Sequence, residues 1–327
     1  MLKNINLIIV FLIILFTSKI FAQKEKYNQE IQIQTDNDIL TFKRKVADRY
    51  YSFGLHADYR KLIANDAKLF GFVGKYKQNI EKVVVNWHAG IEGYTSDQDR
   101  DIKVDSVFVA FDRPYAGWLF VENTITAINN KSIFYVKTTL GVLGPASGAE
   151  KLQDNFHNVI DNPKFEEWDN QIQNEVAVNL GAGFNKPLVK FKLFDIHSQT
   201  SASLGTQETY FRQGFVGRFG KFNAIENTLF YNTNLTHEDT PSESEYYLDF
   251  GAHLTTWGYK ATIQGRLFGD NVNMDNSGLH RVNVDVSAAL NYSRKKFTAF
   301  FRHHLVTAET SKGRHFYYGS LGLIFKL

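Results

Sequence analysis

Four stretches of the chain carry side chains suited to hydrolytic chemistry. Thr35-Asp36-Asn37-Asp38 offers carboxylate and amide oxygens. These are ligands for a hard cation such as Ca2+, although the same residues at a strand end also make an Asx turn. Asp48-Arg49-Tyr50-Tyr51-Ser52-Phe53-Gly54-Leu55 contains a hydroxyl, Ser52, without the G-x-S-x-G frame of an activated nucleophile. Ser52 therefore reads equally as a polar wall residue. Asp48-Arg49 and Asp112-Arg113 read first as ion pairs or turn contacts, the latter within Asp112-Arg113-Pro114-Tyr115-Ala116-Gly117-Trp118. The fourth stretch, Gly144–Ile160, is GPASGAEKLQDNFHNVI and extends to Glu167-Trp168-Asp169-Asn170-Gln171. Gly-Pro breaks the strand before it, and Ser147-x-x-Glu150 fits a capping box. Leu152, Phe156, Val159 and Ile160 then recur at helical spacing, with Gln153 and His157 together on the flank. The spacing predicts a short helix that packs its apolar stripe and turns His157 into a cleft. An imidazole, with an ordinary pKa of ~6.5, suits a general base there. A structural histidine is the alternative.

The elements that must position these stretches alternate with period two. Val282, Val284, Val286, Ala288 and Leu290 interleave with Asn283, Asp285, Ser287, Ala289 and Asn291, and the C-terminus does the same through Leu321, Leu323, Phe325 and Leu327. Twelve candidate strands lie near 28–39, 50–60, 82–93, 114–127, 132–144, 174–186, 188–204, 209–220, 243–257, 280–293, 295–307 and 314–327. A soluble sandwich also alternates, but these segments are long, and many of their second faces are polar enough for a wet lumen. The chain also ends inside a strand that can close on the first. The expected fold is therefore all-β, a transmembrane antiparallel β-barrel of about 12 strands, with a short helix in an extracellular loop. With both termini periplasmic, the four polar stretches share the extracellular rim. The links 61–81 and 221–242 are long for periplasmic turns, and Phe222–Asn234 has room for further β structure.

Residues 1–22 read as a signal peptide: Lys3, an apolar run over Ile5–Phe16, and Ile20-Phe21-Ala22 before the cleavage point. Residues 23–327 then form the barrel domain. The chain has no cysteine, so an exported protein of this kind needs a large core or a closed hydrogen-bonded wall. A net charge of +3 gives no ground for a nucleic-acid partner. Its 28 Phe and 16 Tyr against 5 Pro favour strands.

Taken in order, Asn37-Asp38, Asp48-Arg49-Tyr50-Tyr51-Ser52-x-Gly54-Leu55, Asp112–Trp118, Gly141–Glu150, His157 and Trp168–Gln171 resemble the lipid A 3′-O-deacylase (LpxR) family. The resemblance covers residues 37–171 in motifs and the rest in architecture. It implies a Ca2+-dependent esterase in the outer membrane of a Gram-negative bacterium, its site facing the outer leaflet. The implied substrate is the lipid A of lipopolysaccharide, cleaved at the ester of its 3′ acyloxyacyl chain, and the implied folding partner is the barrel-assembly machinery. By position, His157 matches the family's base, Asp38 its Ca2+ ligand, Asn37 the neighbouring site asparagine and Ser52 a site Thr or Ser. Lys103 is the nearest match to a family lysine, with Asp101 aligning nearly as well. A family glutamate six residues after the histidine falls on Pro163, with Asp161, Glu166 and Glu167 as the nearby acids that can substitute. A non-enzymatic pore or binding protein on the same scaffold is the competing reading.

Overall fold

A computed structural model describes residues 27–41, 48–63, 80–97, 102–104, 107–109, 112–129, 131–161, 164–236, 244–268 and 278–327. The expected signal peptide lies outside the described residues. The strands are β1 (Gln29–Asn37), β2 (Tyr50–Ile63), β3 (Lys82–Thr95), β4 (Ile102–Val104), β5 (Val107–Val109), β6 (Ala116–Asn129) and β7 (Ser132–Leu143). They continue as β8 (Glu175–Lys190), β9 (Phe194–Gly205), β10 (Glu208–Lys221), β11 (Glu245–Lys260), β12 (Val282–Arg294), β13 (Phe297–Val306) and β14 (Phe316–Lys326). Twelve of them close an antiparallel barrel in which β14 pairs with β1, and β4 and β5 form a separate hairpin between β3 and β6. That hairpin, which carries Lys103, has no period-two run long enough to announce it.

Alternation divides the wall as a barrel requires. Gln32, Gln34 and Asp36 face the lumen, and Ile31 and Ile33, which alternate with them, are exposed outside. The lumen is crossed by charge pairs such as Arg60 with Glu30 and Asp58, Arg302 with Asp249, and Lys137 with Glu122. The end of the barrel that carries residues 38–41, 48–49, 144–161 and 164–174 is the loop end.

At the opposite end, residues 222–236 form no strand. They make two 3-10 turns, Ile225–Asn227 and Leu229–Tyr231, folded across the mouth. Ile225 and Leu235 pack on Leu62, Val84, Ile128 and Ile133 of the wall. Lys82 donates to the carbonyls of Glu226, Thr233 and Leu235 at 3.1, 3.3 and 3.1 Å, and Lys326 to that of Asn234. Glu245 accepts from Asn223 N, Thr228 Oγ1 and Leu229 N, while Arg218 spans Asp195, Thr228 and the Asn223 carbonyl. An ammonium with three donors matched to three carbonyls fixes backbone that a strand ladder would otherwise satisfy. The segment is thus a plug. In planar bilayers the protein is expected to carry no steady conductance, and Lys82→Met, which removes three of these bonds, is expected to produce openings. A stable open channel in the unaltered protein would contradict the plug.

Candidate functional site

The motif stretches meet at the loop end, on the outside of the wall. β7 stops at Gly144, whose φ of 81° suits glycine. A Cβ there would also lie 2.6 Å from the Ile172 carbonyl oxygen. A 3-10 turn, Pro145–Ser147, leads into helix α1 (Ala149–Ile160). Gly117 of β6 lets this start rest on the barrel: a Cβ at Gly117 would come 2.1 Å from Ser147 Oγ and 2.7 Å from Ala149 Cβ. The expected capping box does not form. The N-cap is Gly148 in the left-handed region, and Ser147 Oγ donates instead to the Gly144 carbonyl at 2.6 Å. The hydroxyl donates into the turn before the helix and accepts only the Ala149 N–H, at 3.3 Å, rather than an N–H one turn further on.

The orientation of α1 also departs from the expected one. Ala149, Gln153 and His157 face the protein, Leu152 is half-buried, and Phe156 and Val159 are exposed. Two interactions select this face. Trp168, in the turn Glu166–Asn170, donates its indole N–H to Gln153 Oε1 at 2.7 Å, and His157 is held by Asp48, Nε2 to Oδ2 3.3 Å. Phe165 stands edge-on to the imidazole, ring centroids 4.8 Å apart. His157 is only 2% exposed. The polar flank is therefore the buried side, because its polar groups have partners there.

Opposite α1, β1 ends in an Asx turn, with Ile39 N donating to Asn37 Oδ1 at 2.8 Å. Asp38 N donates to the Ser52 carbonyl at 3.2 Å, and Asp38 Oδ2 accepts from Arg49 N at 3.3 Å. β2 begins with Tyr50 at φ 65°, an uncommon conformation for a bulky residue. It is pinned by its hydroxyl, which donates to Asp112 and accepts from Arg314 N. The register between β2 and β3 slips at Ser52, and such a bulge re-aims a side chain. Ser52 Oγ lies 2.6 Å from Thr95 Oγ1 and is buried. Arg49 pairs with Asp97, and Arg113 with Glu309, rather than with the aspartates that precede them in sequence.

Between these walls lies a cleft of about 280 Å³. Its polar lining is Thr35, Asn37, Asp48, Ser52, Gln153 and His157; its apolar lining is Ile39, Leu40, Phe53, Leu55, Leu152 and Phe156. Asn37, Ser52 and His157 are thus brought together, with Asp38 beside Asn37. Lys103 lies in the β4–β5 hairpin, and its side chain, like Pro163, is outside the described residues. Among the described residues, Asp48 is an acid that meets His157. Asp48 is 109 residues away in sequence; nothing local signals such a pairing.

The oxygens present fit a hard cation. Asp38 Oδ1 is buried without a hydrogen-bond partner. Burial first, then the neighbouring Asp48 charge, pushes the Asp38 carboxyl well above the usual carboxylate range. Burial raises Asp48 as well, against the opposing pull of His157. Two adjacent carboxylates, Asp38 buried with an orphaned oxygen and Asp48 half-buried, are an arrangement that a divalent cation would stabilise. Among the described residues no three His, Cys, Asp or Glu side chains converge as a ready cage. Ca2+ needs none, because amide and backbone oxygens and water complete its sphere.

The strands and the exposed apolar girdle define an outer-membrane-type β-barrel with a wall-side cleft under a loop helix. The family model described as outer membrane protein LpxR matches residues 7–327, and the chain belongs to that family. Among solved structures, LpxR from Salmonella typhimurium is similar at a TM-score of 0.73 and 17% identity, covering 91% of this chain and 100% of that one. That likeness bears on the fold. An outer-membrane channel from Pseudomonas putida F1 (TM-score 0.47, 10% identity, covering 95% of this chain and 99% of that one) is more distant. So is the β domain of the Bordetella autotransporter BrkA (0.46, 8%, 93% and 100%). A search among curated proteins finds no match.

Proposed function

We propose that the protein is a Ca2+-dependent lipid A deacylase that hydrolyses the ester of the 3′-linked acyloxyacyl chain, at the outer leaflet of a Gram-negative outer membrane. The observation that carries this reading is the buried His157, paired with Asp48, in a cleft shared with Asn37 and Ser52, beside the orphaned Asp38 carboxylate. Family membership supports the substrate class. Leu55, exposed on the outer wall, also lines the cleft, which puts the cleft within reach of an acyl chain held in the bilayer.

In this scheme His157 takes a proton from water as the water oxygen adds to the ester carbonyl carbon. The carbon–oxygen bond to the sugar then breaks, and the sugar oxygen takes the proton back from His157. Asp48 holds the imidazole and offsets its charge while it is protonated. A Ca2+ ion held by Asp38, with Asn37 alongside, would supply positive charge to the carbonyl oxygen as it becomes anionic. Ser52, its hydroxyl bonded to that of Thr95, serves as a polar wall for the ester rather than as a nucleophile. Gln153 and Trp168 keep α1 at the right distance.

Asp48→Asn is expected to lower kcat roughly 10- to 100-fold, the equivalent of one charge-assisted hydrogen bond, with a smaller change in KM. Deacylation of detergent-dispersed lipid A over a pH series checks this; an unchanged kcat would remove Asp48 from the mechanism. The plug at the opposite end weighs against the competing pore reading. The experiment that tests the proposal as a whole is analysis of lipid A from cells with and without the protein.

A further inference from the structure

The face of α1 that is turned away from the barrel raises a separate question, because it is not uniformly polar. Lys151, Asn155 and Asn158 form an exposed polar face, while Leu152, Phe156 and Val159 form an apolar edge between that face and the buried one. Phe156 is 43% and Val159 83% exposed. What covers this edge follows from where α1 is seated.

Across the wall, Thr35, Leu55, Ile91, Leu119, Val142 and Val176 are paired neighbours in one hydrogen-bonded row. Within that row Leu55, Leu119 and Val176 are 44%, 42% and 70% exposed. The next row towards the barrel's middle contains Ile33, Val121, Leu140 and Val178, all exposed as well. These rows are the upper part of the lipid-facing girdle. Leu152 packs on the same cluster as Ile91, within the upper row itself. The helix is therefore seated at the level of the girdle, not above it. Its apolar edge borders the cleft towards Leu55 and is continuous with that surface.

We propose that α1 is an interfacial helix whose Leu152–Phe156–Val159 edge is immersed among the acyl chains of the leaflet at the loop end, its polar face lying at headgroup level. An amphipathic helix lying in the plane of a membrane interface has this division of faces. The apolar edge then has lipid as its partner, which accounts for an apolar stripe that the protein itself leaves uncovered. The inference rests on membrane placement of the barrel and not on hydrolysis, so either can fail without the other.

The chain has no cysteine, which permits single-site spin labels. Val159→Cys, Lys151→Cys and, as a girdle reference, Leu140→Cys would each be labelled in the full-length barrel, reconstituted in phosphatidylcholine vesicles and checked for heat-modifiability. Collisional access to dissolved oxygen and to a water-soluble nickel chelate would then be measured. The Val159 label is expected to match Leu140, favouring oxygen, while Lys151 favours nickel. A Val159 label as open to nickel as Lys151 overturns the proposal, and so does one shielded from both reagents. Val159→Trp, read by quenching with lipids brominated along the acyl chain, supplies the same test without a label: strong quenching is expected, and its absence contradicts immersion.

Discussion

His157→Ala is expected to lower lipid A deacylation by roughly 10²- to 10⁴-fold, the range a positioned general base contributes. The side chain is buried against Asp48 and Phe165, so its loss removes the group that accepts the proton from water. It should not unfold the barrel, whose wall hydrogen bonds close independently of α1. Unchanged heat-modifiability on gels separates a chemical defect from a folding one. Ca2+ binding, followed by isotope retention, should also persist. A variant that keeps substantial activity would mean that another base serves the site.

Asp38→Ala should be comparably severe, about 10²- to 10³-fold, because it removes the carboxylate proposed to bring positive charge to the developing oxyanion. It differs from His157→Ala in losing Ca2+ binding along with activity. Stability gives a further readout with a definite sign. The folded-state pKa of Asp38 is raised, by burial and then by Asp48. In metal-free protein burial penalises its ionised form, so the stability it contributes is lost as pH rises through that elevated value. Ca2+ binds the ionised form and offsets the loss. Ca2+ should consequently raise the heat-modification temperature more at pH 8 than at pH 5, and in Asp38→Ala that difference should shrink. An equal Ca2+ effect at both pH values would place the ion elsewhere.

Much of the wall was legible from period two alone, because a strand with one lipid face and one wet face writes its register into the chain. Val282–Leu290 alternates in the sequence and sits in β12, and the terminal run ending at Leu327 does close on β1. Motifs as distant as Asn37 and His157 could be assigned to one rim because strand number sets which end a loop occupies. Three features escaped this logic. The plug over 222–236 has no repeat, since its backbone is satisfied by Lys82, Lys326 and Glu245 rather than by a ladder. His157 faces the cleft as expected and Leu152 packs, but Phe156 and Val159 are exposed, because hydrophobicity periodicity assumes water outside and a helix seated on a lipid girdle reverses the assignment for those two. Asp48 was missed as the partner of His157 because the adjacent Arg49 offered a nearer ion pair; in the fold Arg49 is drawn to Asp97.

The pairing of Asp48 with His157 also bears on Pro163, which by the sequence resemblance falls where the family is expected to have a glutamate. A carboxylate from the β1–β2 connection meets the imidazole, so the absence of that glutamate does not leave His157 without an acid. Activity is accordingly expected despite Pro163.

The most direct test of the central claim is the mass spectrum of lipid A from cells expressing the chain, and of purified lipid A incubated with the protein in Ca2+ or in chelator. The expected result is loss of the 3′ acyloxyacyl chain in cells and in Ca2+, with no loss in chelator or with His157→Ala. Lipid A that retains that chain under every condition, with the barrel folded, would contradict the assignment.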